Sequence, residues 1–253
     1  MVSHVFKLGL LWLGFIGAPL YAQVIDTGKP AYIKVADERP VPELEAFIRP
    51  YRDSIESQMN RVIGKAGQLM VAKKPESPLS NLVADVLLWA VNEKPRTSSG
   101  LPRVDLAITN IKGIRSAINA GDIALRNIFE ILPFENTVVV LGLTGEQVLK
   151  LFDFIASQNG DGISGASFTM VNGKAVNGTI GGKKVKAKKI YYIAVPDYVA
   201  NGGDSYTILT QYRSRIDTEL KMRDVMVEYI EGQTREGKEI VPNVNRRIIN
   251  ANE

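Results

Sequence analysis

The chain has 253 residues, 45% apolar and 23% charged, with a net charge of +4. That is the composition of a globular protein able to bury a core of one large or two small domains. There is no cysteine and one histidine, His4, which excludes disulfides, thiolate metal sites and cysteine nucleophiles. If His4 is lost with a leader, histidine-containing triads and imidazole-held metals go too. Carboxylate Mg²⁺ or Ca²⁺ sites remain open, and so poor a set of catalytic side chains points to binding more than to reaction.

Residues 1–22 read as a secretory signal peptide. Lys7 precedes the apolar run Leu8–Leu20, and Tyr21-Ala22 supplies a cleavage site. The run falls short of the about 20 residues of a membrane span, although Leu20 departs from the small-residue rule at cleavage sites. Removing this segment takes away one Lys and no acid, so the mature chain is expected to be secreted or periplasmic, without a membrane span. Its remaining charge is too mild to indicate nucleic acid. Residues 23–40 form a polar, extended N-terminal segment, and 41–253 a single domain.

Apolar residues Leu44, Phe47, Ile48, Tyr51, Ile55 and Met59 mark one face of a helix from Val41, with Pro50 expected to kink it or split off its first turn. Gly64–Ala72 reads as a short strand. Ser77-Pro78 opens a second helix, an N-cap followed by Pro. Residues 92–102 form a loop. Val104–Thr109 alternates as a strand and runs into Asn110-Ile-Lys-Gly-Ile-Arg115. A helical stretch at 125–131 is followed by the Pro-set loop Leu132-Pro-Phe-Glu-Asn136. Thr137–Leu143 is a β-branched strand. Thr144-Gly-Glu-Gln147 is a capping box that starts another helix. Strands are predicted at 167–171, 183–188, 189–195 and 206–209, with Gly-Gly and Asn-Gly turns between the earlier ones. A last helix is predicted over 217–233, and a tail with strand potential over 240–249. Helices and strands mix without a βαβ repeat, which predicts an α+β fold of mixed sheets layered with helices.

Several segments carry candidate chemistry. Gly160-Asp-Gly-Ile-Ser-Gly165 matches a dinucleotide fingerprint in letters, but it follows a helix and precedes a strand, the reverse of what that site needs. It is read as a turn. The five lysines between Gly181 and Ile190 lack interleaved aromatics and are read as charges protecting an edge strand. Asn110, Lys112 and Arg115 offer an amide and two cations on a loop after a strand, with Gly113 allowing close approach of backbone, parts suited to phosphate or carboxylate. Asn201-Gly-Gly-Asp204 is a tight turn that would fix Asp204 rigidly, a good acceptor for a vicinal diol. Phe134 is a stacking platform only if a second ring, Tyr198, faces it. Each of these segments also has a purely structural reading.

In order, Glu76-Ser-Pro-Leu-Ser-Asn-Leu-Val-Ala-Asp85, Asn110 with Gly-Ile-Arg115, Leu132–Asn136, Leu143-Thr-Gly145, Ser164-Gly165 and Asn201–Asp204 resemble the C-terminal domain of the 5′-nucleotidases, which include periplasmic nucleotidase/UDP-sugar hydrolases. The resemblance runs from about Ala36 to near the end. It implies a base held between Phe134 and Tyr198, where the family usually has Phe. It further implies ribose hydroxyls on Asp204, the phosphate side held by Asn110 and Arg115, and Asn136 near the base. Three departures stand out: Lys112 replaces a glycine, Lys73 and Lys74 stand where an arginine is usual, and Ser80 replaces a glycine.

The family's catalytic unit, a metallophosphoesterase holding two metals with His, Asp and Asn, is not among these residues. The resemblance therefore implies no catalytic residue and no cofactor in this chain. Divalent metals belong to a separately encoded partner, and the chain alone should not hydrolyse nucleotides by the family mechanism. Two alternatives are a nucleotide- or nucleoside-binding module without an enzymatic partner, and a self-sufficient hydrolase using Asp161, Asp197 and Asp204 on Mg²⁺.

Overall fold

A computed structural model describes residues 41–93, 100–241 and 244–251. The signal peptide predicted at 1–22, the extended segment predicted at 23–40 and part of the predicted 92–102 loop lie outside them. The chain divides into two units at Phe47/Ile48. Of the first, only residues 41–47 are described, the opening of helix α1 (Pro42–Met59). The helix runs unbroken across Pro50, so its first turn is not split off, and no α1 residue is buried. The predicted strand at 64–72 is confined to β1 (Val62–Ala66), and Met70 makes only an isolated bridge to Ile118.

Helix α2 (Pro78–Glu93) starts where the Ser-Pro pair predicts. The Ser80 hydroxyl accepts from the Ser77 N–H (3.2 Å) and lies 2.8 Å from the Ser77 hydroxyl. Ser80 thus closes the helix start in the manner of a capping box. Next come β2 (Leu106–Thr109), a 3₁₀ turn at Ile111–Gly113, β3 (Gly121–Ala124), α3 (Leu125–Ile131), β4 (Thr137–Thr144) and α4 (Gly145–Ser157). The α4 capping box is formed: the Thr144 N–H donates to Gln147 Oε1 (2.9 Å) and the Gln147 N–H to Thr144 Oγ1 (3.3 Å). Strands β5 (Gly162–Ser164), β6 (Ala166–Val171), β7 (Lys174–Ile180), β8 (Lys183–Lys184) and β9 (Ile190–Pro196) follow. The chain then forms the short helix α5 (Asp197–Ala200), 3₁₀ turns at Gly203–Ser205 and Thr207–Gln211, β10 (Ser214–Lys221), α6 (Met222–Arg235) and β11 (Ile248–Asn250).

The centre is a five-stranded sheet in the order β10-β4-β9-β2-β5; a four-stranded sheet β11-β6-β7-β8 and the pair β1-β3 complete the strands. Period-two alternation gives the central sheet two apolar faces. Val138 and Val140 of β4, Ala107 of β2 and Ala194 of β9 enter one core with α2, α3 and α6. Their neighbours Val139 and Leu141, Leu106 and Ile108, and Ile193 and Val195 enter a second core with α4 and the inner face of β6. Fully burying each such aliphatic side chain stabilises the fold by about 1.5–3 kcal/mol, and a one-residue slip of register would exchange the two cores. The class is α+β, as the mixed elements predict.

Strand β7 is not among the predicted elements; it pairs with β6 through Asn172-Gly173, both at positive φ (49° and 73°), as a tight hairpin requires. Three predicted elements are corrected. The predicted strand over 183–188 shrinks to the two-residue edge strand β8. Tyr206–Leu209 opens into a 3₁₀ turn: the Leu209 N–H donates to the Tyr206 carbonyl (2.9 Å), and both side chains are buried three residues apart. The last helix begins at Met222, because Ser214–Lys221 pairs antiparallel with β4. The acids Asp217 and Glu219 look like a first helical turn, yet they alternate with Ile216, Thr218 and Leu220, the period of a strand.

Candidate functional site

The segments that the sequence singles out for binding meet at one end of the three inner strands of the central sheet, after β2, after β9 and before β4. A cleft of 330 Å³ is lined there by Asn110, Lys112, Gly113, Arg115, Phe134, Asn136, Tyr198 and Asp204. All six predicted site residues are in this set, together with Lys112 and Gly113. They sit on the segments that follow β2, α3 and β9, where a rigid scaffold presents binding groups.

The first wall is the turn after β2. Asn110 is 4% exposed and donates from Nδ2 to Asp204 Oδ2 at 2.8 Å. Gly113 backs onto it: a Cβ there would stand 3.0 Å from Asn110 Oδ1. Arg115 is exposed; its Nη1 donates to the Lys112 carbonyl at 3.3 Å, and its N–H donates to the carbonyl of Ile131 (2.9 Å), tying this turn to the end of α3.

The second wall is the Leu132–Asn136 loop. The Met222 N–H donates to the Asn136 carbonyl (2.9 Å), Lys221 reaches Glu135 at 3.2 Å, and Arg223 pairs with Glu135 while lying 4.2 Å from the centre of the Phe129 ring. The loop is pinned to the start of α6, yet Phe134 at its tip stays 50% exposed.

The third wall follows β9. Tyr198 is 48% exposed, and its ring packs on Gly203, where a Cβ would stand 2.5 Å from two ring atoms. The chain turns at Gly202 (φ 89°), and Asp204 and Ser205 both hold the left-handed conformation (φ 49° and 67°). Non-glycine residues there need outside support. The Asp204 carboxylate also lies 3.4 Å from the Tyr198 hydroxyl and 3.8 Å from the Lys112 ammonium. From β10, Arg215 Nη1 donates to Asn201 Oδ1 at 2.7 Å and braces the turn.

Beneath these walls lies Asp161, 6% exposed. Its Oδ1 accepts from the Ile111 N–H (2.5 Å) and its Oδ2 from the Tyr206 hydroxyl (2.6 Å). Burial raises the Asp161 carboxyl above the ordinary carboxylate range, against those two hydrogen bonds. Burial, and then the Asp161 charge, pushes the Tyr206 hydroxyl well above its usual value. A small polar hollow lined by Lys74, Lys112, Gln158, Asp161, Asp204 and Tyr206 adjoins the cleft. Lys74 Nζ is held there by the Gln158 carbonyl (2.5 Å). Sequence reasoning did not find the Asp161 link or the packing of Gly203 on Tyr198. The Asp161 pairing leaves no local signal, since Asp161 and Tyr206 lie 45 positions apart, whereas Gly203 stands five residues from Tyr198 and its lack of a side chain was the available signal.

The three carboxylates considered for Mg²⁺ are not assembled for it. Asp161 and Asp204 are engaged as described, and Asp197 accepts from the Tyr198 N–H (2.7 Å). Among the described residues no group of three or more His, Cys, Asp or Glu could hold a metal ion. The two-metal centre of the family's catalytic unit does not fit these residues. Of Gly160-Asp-Gly-Ile-Ser-Gly165, the first two residues lie in the turn from α4 into β5 and the next three are β5 itself.

The model of the 5′-nucleotidase C-terminal domain matches residues 62–211. With more than half of its length matched, the chain belongs to that family, and all six candidate residues fall in the matched span. Among the relatives, a 5′-nucleotidase of Vibrio vulnificus is 30% identical over 195 residues, covering 73% of this chain and 33% of the relative. The protein UshA of Escherichia coli is 31% identical over 132 residues, covering 50% of this chain and 24% of UshA. Among solved structures, the 5′-nucleotidase precursor of Thermus thermophilus superposes with a TM-score of 0.68 at 27% identity, over 84% of this chain and 43% of that one. The chain thus spans about a third of the length of the first of these relatives.

Proposed function

We propose that the cleft binds a nucleotide, with the base between Phe134 and Tyr198, the ribose hydroxyls on Asp204, and the phosphate toward Asn110 and Arg115, with Asn136 beside the base. The supporting observation is the cleft itself. Two half-exposed aromatic side chains, a carboxylate held by an amide, and two exposed cations line one 330 Å³ space. Aromatic faces stack on bases, and a guanidinium suits phosphate geometry. Membership of the family favours a nucleotide over other anions with an aromatic part.

The protein would act in nucleotide catabolism as the recognising partner of a separately encoded metallophosphoesterase that cleaves the phosphoester. The 253 residues hold one histidine, so a two-metal centre would have to come from outside them. The signal sequence read at 1–22 would carry the chain to the periplasm or the exterior. Among the described residues no helix is long and apolar enough to cross a membrane.

Calorimetric titration of AMP and adenosine into the chain tests the binding. Phe134→Ala and Tyr198→Ala should each weaken it by about 1–3 kcal/mol; unchanged affinity in both would remove the base sandwich. AMP hydrolysis with Mn²⁺ or Zn²⁺, measured with and without a metallophosphoesterase, tests the division of labour. Turnover by this chain alone would overturn it. Binding without turnover in any pairing would favour a binding module that has no enzymatic partner.

A further inference from the structure

Asp161 belongs to none of the three walls of the cleft that it supports. It sits where α4 turns into β5, and its two carboxylate oxygens serve two separate connections. One takes the N–H of Ile111, the first residue of the 3₁₀ turn between Asn110 and Arg115. The other takes the hydroxyl of Tyr206, the residue that ends the Gly202–Ser205 turn. Tyr206 is itself immobilised: it is 2% exposed and its ring meets that of Phe154 edge-on at 4.7 Å. The consecutive left-handed residues Asp204 and Ser205 therefore lead into a fixed point. The Tyr206 N–H closes back on the Gly203 carbonyl at 3.1 Å.

We propose that Asp161 is a positioning residue of the cleft, which sets the separation of the Asn110–Arg115 turn from the Asp204 turn without touching the ligand. This rests on the nucleotide reading for its functional consequence, but its structural content can be measured without a ligand. A charged acceptor makes the stronger hydrogen bond, and a single carboxylate bonded to both loops prevents one from moving without the other. The Asn110–Asp204 hydrogen bond at 2.8 Å is then a product of the alignment as well as a contributor to it.

The test uses the full chain with Asp161→Asn, Tyr206→Phe and the double variant. Asn keeps the size and one oxygen acceptor but removes the charge; Phe keeps the buried ring. Backbone amide spectra without ligand should show shifts at residues 110–113 and 202–206 in both single variants. Changes confined to the substituted residue and its immediate neighbours would overturn the proposal. In calorimetry both variants should lose about tenfold in affinity for adenosine and AMP alike, because the whole frame shifts. The double variant should lose no more than the worse single one. Additive losses, or a loss for AMP alone, would mean that Asp161 acts on the ligand directly and would also overturn it. If the parent binds neither ligand while the amide shifts appear, the nucleotide reading fails and the positioning role stands.

Discussion

Two polar clusters of this molecule each contain a carboxylate and an arginine, and they are built to opposite ends. Away from the cleft, Arg247 forms a two-pronged pair with Asp85 at 2.8 and 2.7 Å. It also donates to the Ile163 carbonyl (2.7 Å) and to Asn245 Oδ1 (2.7 Å), and Ser164 donates to Asp85 at 2.6 Å. The Arg247 side chain is 8% exposed, and its donors are largely consumed by the protein. In the cleft the cations stay exposed: Arg115 reaches a backbone carbonyl at 3.3 Å, and Lys112 stands 3.8 Å from Asp204. Two aromatic rings remain half in water beside them. Residue type does not separate a structural cluster from a binding one; unspent hydrogen-bonding capacity on a braced frame does.

Removing one side of the closed cluster should produce the largest effect. Arg247→Ala leaves the Asp85 carboxylate without its cation, with the Ser164 hydroxyl still donating to it, and breaking such a pair costs about 3 kcal/mol. Chemical denaturation should show that loss, while the folded fraction keeps the parent's nucleotide affinity. A matching loss of affinity would mean that the two clusters are coupled.

Gly203→Ala comes next. The added Cβ meets the Tyr198 ring and carbonyl within 2.6 Å, so ring or backbone must move, at a cost of about 1–3 kcal/mol. Adenosine binding should fall along with stability. A variant that binds as the parent does would show that the Tyr198 position is immaterial.

Lys112→Ala is smaller. An exposed ion pair contributes at most about 1 kcal/mol, so the melting temperature should hold. Affinity for AMP should drop about two- to fivefold while adenosine is spared. An equal loss for both ligands would place Lys112 at the sugar.

The smallest effect concerns pH. Because burial raises the Asp161 carboxyl in the folded state, the native protein holds that proton more tightly than the unfolded chain. The stability due to this group is present below the unfolded carboxylate value and is lost as pH rises through the raised one. The parent's stability relative to Asp161→Asn should therefore decline over that interval in denaturation series. A flat difference would place Asp161 in a more polar setting than its burial implies.

Much of this was legible in the sequence. Turn chemistry at Ser77-Pro78 and Thr144–Gln147 set two helix starts, and a β-branched run marked β4. The site segments were legible as well, since Asn110, Phe134, Asn136, Tyr198 and Asp204 sit on connections with marked turn residues. What failed was the competition between short-range signals. Asp217 and Glu219 suit a helix start, but pairing with β4 governs residues 214–221. Tyr206 and Leu209 have strand-like side chains, but a buried hydroxyl partner 45 positions away fixes the turn. No local pattern could pair Asp161 with Tyr206 and Ile111, because that contact exists only after three distant segments meet.

The closed cluster also bears on when the molecule can become native. Arg247 reaches a partner 162 positions earlier, and the Ile248 N–H reaches Glu76 across 172 (3.0 Å). Synthesis runs from the first residue to the last, so Asp85 and Glu76 are made long before their partners emerge. Until then β6 lacks its parallel neighbour β11, and the second core lacks Ile248. Contacts so distant in sequence close slowly. This fold is therefore not complete until Arg247 and Ile248 have been made, and a nascent chain stalled before Arg247 would present β6 as an open edge.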